Sequence, residues 1–143
     1  MDTRDRLMGL ISDGIDVTQI SDNSNKSILI RGCDPEMGRR AIELLTPVLG
    51  NPKMVSVTND DAFITELQKK KWSVIHFAPG ACRYDSTKSP IPGNSTQTKG
   101  WGLSEYRTLV HKYQGQSIKI IETAYERQIV PLLKEALMNS NNT

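Results

Sequence analysis

Cys82 and Arg83 are adjacent. A guanidinium beside a thiol lowers the thiol pKa, so Cys82 is better placed than Cys33 for nucleophilic chemistry. Such chemistry needs a base. His76 lies inside the apolar run Val74-Ile75-His76-Phe77-Ala78, where a histidine is more often a hydrogen-bonded core group than a catalyst. Glu122 follows Ser117-Ile118-Lys119-Ile120-Ile121. A carboxylate there is either a general base or a counter-charge to the next helix. For binding, Arg83 offers a bidentate fork to an oxyanion, with Lys99, Trp101 and Arg31 as further ligand-binding candidates.

Two local patterns test these candidates. Cys33 and Arg39 have the C-x5-R spacing of tyrosine phosphatases, after an apolar run as in the low-molecular-weight class. A phosphate loop aims backbone N–H groups at a dianion. Here Pro35 removes one, and Asp34 and Glu36 repel the ligand, so the segment reads as a thiol followed by an acidic helix start. Val74 to Ala78 resembles the histidine strand of caspase-like (CHAT) domains, and Ala81-Cys82-Arg83 is similar to the caspase cysteine motif. In that family the cysteine belongs to a later strand, and the CHAT catalytic histidine falls where this chain has Gly80. No activity is carried over from the resemblance. Cys33, His76, Cys82 and His111 contain no close-spaced ligand pair, so no metal site is expected, and the residues name no cofactor.

Positioning these groups falls to an alternation of elements. Leu7, Leu10 and Ile11 predict an N-terminal helix, with a polar linker completing 1–26. The run Ser27–Arg31 predicts a strand, and Asp34-Pro35 caps a helix that Gly50 stops and Pro47 disturbs. Met54–Val57 predicts a second strand, and Thr58 or Asn59 caps a helix closed by Lys69-Lys70-Lys71. A third strand covers Trp72–Ala78, then a long loop spans 79–103. Leu103, Tyr106, Leu109, Val110 and Tyr113 form the buried face of a third helix, ended by Gly115. Ser117–Ile121 is the fourth strand, and Thr123 to Glu126 spell a capping box for a last helix whose start Pro131 delays. The tail 139–143 should fray. The expected fold is one α/β domain, a three-layer α/β/α sandwich with a mainly parallel four-stranded sheet, Rossmann-like or flavodoxin-like. Strand order is not readable from the pattern.

Composition narrows the function. The chain has 143 residues, 37% hydrophobic and 24% charged, which suits one domain with a real core. Two cysteines exclude a disulfide scaffold, while 6% aromatics and a net charge of +2 exclude a dedicated nucleic-acid binder. No stretch reads as a signal peptide or a membrane span, so a cytoplasmic location and no membrane partner are expected. Between Arg83 and Lys119, six bases face two acids, leaving +4 there and −2 over the rest. The expected function is binding of an anionic small molecule, a phosphorylated metabolite or nucleotide, at the C-terminal ends of the strands under loop 79–103. The alternatives are a non-catalytic protein-interaction or homodimerisation module using that loop, and a cysteine-dependent enzyme using Cys82.

Overall fold

Strand β1, Ser27–Arg31, sits between β2, Lys53–Val57, and β3, Val74–Phe77, and β4, Lys119–Glu122, completes the sheet beyond β3. The order is therefore β2-β1-β3-β4, and every neighbouring pair is parallel, with Ile28 beside Met54 and Val74, and Val74 beside Lys119. The computed structural model describes residues 22–32, 34–78, 103–123 and 125–140. The expected N-terminal helix, Cys33 and most of the long loop lie outside the described residues.

Parallel neighbours need crossovers, and helices supply them. Helix α1, Pro35–Val48, and α4, Ile129–Met138, cover one face, packing Leu45, Leu49, Leu133 and Leu137 on Ile28, Ile30 and Val74. Helix α2, Asp60–Lys69, and α3, Leu103–Gln114, cover the other, where Phe63, Leu67, Tyr106 and Val110 meet Leu29, Ile75 and Phe77. The result is the α/β/α sandwich that the alternation predicts. β1 and β3 are buried along their whole length, as expected of central strands covered on both faces.

The helix ends follow their local chemistry. Asp34 accepts from the N–H groups of Glu36 and Met37, with Pro35 at the first helical position. Asn59, not Thr58, caps α2 by accepting from the Ala62 N–H at 2.8 Å. At the end of α1, Gly50 at φ 85° lets its own N–H reach Pro47 O and that of Asn51 reach Thr46 O, a Schellman closure. Pro47 does not end the helix early, since α1 runs on to Val48. The predicted capping box at Thr123–Glu126 does not form. Thr123 is buried by its bonds into β3, so a 3-10 turn, Glu126–Gln128, precedes α4, and the Gln128 side chain accepts from the Tyr125 N–H. Asn139 and Ser140, expected to fray, donate backbone N–H bonds to Glu135 and Leu137 carbonyls.

Candidate functional site

The direction of chain progression reverses between β1 and β3. From β1 the chain moves outward to β2, and from β3 it moves outward to β4. In doubly wound sheets the crevice outside the carboxyl ends of two such strands is the ligand position. Here it is bounded by Arg31 and Gly32 after β1 and by Phe77 and Ala78 after β3, and the segment 79–102 departs directly from it. Cys82, Arg83, Lys99 and Trp101 belong to that segment and lie outside the described residues.

Arg31 ends β1 and is fully buried, at 0% exposure. Its Nε and Nη2 donate to one oxygen of Asp60 at 3.2 and 2.9 Å, and its Nη1 donates to the Gly32 carbonyl. The Tyr106 hydroxyl donates to the other Asp60 oxygen at 2.7 Å. Asp60 opens α2 and Tyr106 lies in the first turns of α3, so one carboxylate joins β1, α2 and α3 at the carboxyl edge. Arg31, predicted as a ligand contact, thus has its charge balanced inside the protein.

His76 is 2% exposed on the face covered by α1 and α4. His76 Nε2 and Thr123 Oγ1 share a hydrogen bond of 2.9 Å, and the Thr123 hydroxyl also reaches the Phe77 carbonyl at 3.4 Å. This is the hydrogen-bonded core histidine that its apolar run suggested. Glu122 is gripped by Arg107 through two parallel bonds of 2.7 and 2.6 Å. That carboxylate holds the Arg107 pKa above its ordinary value. The pairing gives Glu122 an α3 partner that neither of its predicted roles included.

The N-termini of α1, α2 and α3 carry their own anions, whereas the first turn of α4 has none. Asp34 and Glu36 stand at α1, Asp60 and Asp61 at α2, and Glu105 at α3. Arg39 and Arg40 clasp Glu36 and hold its pKa down at about 2. Carboxylates in these places stabilise the helices and leave their positive ends compensated. Among the described residues, several lysines stand at the opposite, amino edge, where strands begin and helices end. Lys26 donates to Leu137 O at the end of α4, and Lys71 to Tyr113 O at the end of α3. Lys69 pairs with Glu66 in the last turns of α2.

Sequence reasoning missed Gln114 and Tyr106 as polar anchors. Gln114 accepts from the Trp72 N–H and donates to the Leu67 and Lys70 carbonyls, sealing the passage from α2 to β3. Its only local signal is a polar residue directly before the helix-ending Gly115. No group of three or more His, Cys, Asp or Glu among the described residues has metal-binding geometry. Compared with protein-family models, curated proteins and solved structures, the chain matches none.

Proposed function

We propose that this domain binds an anionic small molecule, a phosphorylated metabolite or nucleotide, in the cytoplasm at the crevice between the carboxyl ends of β1 and β3. The observation that carries the reading is the reversal of strand order at that point, where residues 79–102 enter the chain. Because the N-termini of α1, α2 and α3 are already compensated by carboxylates, the anion falls to side chains. Arg83 and Lys99 are the bases the sequence supplies, with Arg83 as the bidentate partner and Trp101 as an apolar wall.

Thermal unfolding with inorganic phosphate, nucleotides and sugar phosphates tests this. A ligand at 100 times its dissociation constant stabilises by about 2.7 kcal/mol, and Arg83→Lys should remove most of that shift without lowering the unliganded melting temperature. If no member of the set moves the transition, or Arg83→Lys leaves the shift intact, the reading fails. The compensated helix starts and the neutralised Arg31 favour a second reading, a non-catalytic interaction module that uses 79–103 on another protein or a second copy. That module shows no small-molecule shift and changes sedimentation with concentration or with its partner.

A further inference from the structure

We infer that the amino edge of the sheet docks on an anionic lipid surface. Lys53 opens β2, Lys119 opens β4, Lys112 stands in the last turn of α3, and Lys70 caps α2. None of these four has an ion-pair partner among the described residues, whereas Arg31, Arg39, Arg40 and Arg107 all have carboxylate partners. Lys70 lies 4.8 Å over the Trp72 ring. Burial, and then the neighbouring Lys53 ammonium, lower its pKa. The nearby Glu66 carboxylate acts the other way but is paired with Lys69, so the neighbouring Lys53 and Lys70 ammonium groups keep an excess of positive charge that attracts an external negative one.

Lysine is a hydrated point charge and does not supply arginine's planar fork, so such an edge suits a diffuse anionic surface better than one oriented oxyanion. Met138 distinguishes lipid from nucleic acid. It is 72% exposed at the end of α4, one residue beyond the carbonyl that Lys26 caps, and so stands on the same edge. An exposed thioether gains nothing from a phosphate backbone but gains by entering the boundary between headgroups and acyl chains. Trp72 is buried and gives bases no stacking platform. The sequence argued against a membrane partner because no span is present. No described helix is long and apolar enough to cross a membrane, but surface docking needs none. This edge is opposite the crevice proposed above and stands independently of it.

Co-sedimentation of the full chain with vesicles of phosphatidylcholine alone, or mixed with phosphatidylserine, tests the inference. The chain should pellet with the mixed vesicles, and less so as salt rises. Lys53→Gln with Lys119→Gln should weaken partitioning about 25-fold at low salt, the change that about 1 kcal/mol per lysine implies. Met138→Ser should weaken it further, with the melting temperature unchanged in both variants. Equal retention on the two vesicle types overturns the inference. So does an unchanged affinity in Met138→Ser, or equally tight, lysine-dependent binding to double-stranded DNA.

Discussion

Arg31 is a guanidinium with 0% exposure, and its neighbours explain why that is tolerable. Desolvating a charge costs several kcal/mol unless a partner and hydrogen bonds replace the water. Asp60 supplies the opposite charge, Gly32 a carbonyl, and Tyr106 a donor to the carboxylate. Asp60→Asn keeps the shape but leaves the guanidinium unbalanced, and is expected to destabilise by about 3–5 kcal/mol in urea titration. Tyr106→Phe removes one hydrogen bond to a charged acceptor and should cost about 1.5–3 kcal/mol. Replacing Arg31 by Met, Asp60 by Leu and Tyr106 by Phe together removes both desolvation terms and the hydroxyl that needs the carboxylate, and should be near neutral. A loss below about 1 kcal/mol in Asp60→Asn would mean that the pair is wet and not structural.

Each helix is fixed to the sheet by a few contacts of this kind. Gly38 in α1 faces Ser56 of β2, whose Oγ is buried without a hydrogen-bond partner among the described residues. A Cβ at position 38 would collide with that oxygen and lie 3.0 Å from the Ser56 Cβ. Gly38→Ala gains up to about 1 kcal/mol in helix propensity, but overpacking costs about 1–3 kcal/mol. A net loss in melting temperature is expected, partly restored when Ser56→Ala is added; a more stable single variant would show that α1 lifts away freely. The sequence made the ends of elements legible because caps are local. Asp34-Pro35, Asn59, Gly50 and Gly115 act within a few residues of themselves. What holds the elements together was not legible. Tyr106 finds Asp60 across 46 residues, Gln114 finds Leu67 across 47, and Thr123 finds His76 across 47. Thr123 shows the conflict most clearly, since its capping pattern is genuine but the long-range bond to the β3 histidine takes its hydroxyl. The candidate site was legible as a place, the carboxyl ends of the strands, and not as a set of contacts. Arg31 and Glu122 look available in sequence because their partners, Asp60 and Arg107, come from other elements.

Across the whole molecule, stability should grade from the centre of the sheet outward. β1 and β3 each have hydrogen-bonded neighbours on both sides and helices on both faces, and all their residues are buried. Among the described residues β2 and β4 are the edges, with mostly exposed or half-buried side chains, and each pairs on one side of its backbone. Local opening of an edge strand exposes less apolar surface than opening a central one, so its amides exchange through smaller fluctuations. Native-state hydrogen exchange should therefore find Leu29, Ile30, Ile75 and His76 among the slowest amides, exchanging only on global unfolding. Amides of β4 should exchange faster, and those pointing away from β3 fastest of all. An unpaired edge is also where a second chain can add a strand. If alternate amides along Lys119–Glu122 were all as protected as those of β3, the monomeric gradient would be wrong. If that extra protection then disappeared on dilution, the β4 edge would be joined to another copy, and the interaction reading would take precedence over the small-molecule one.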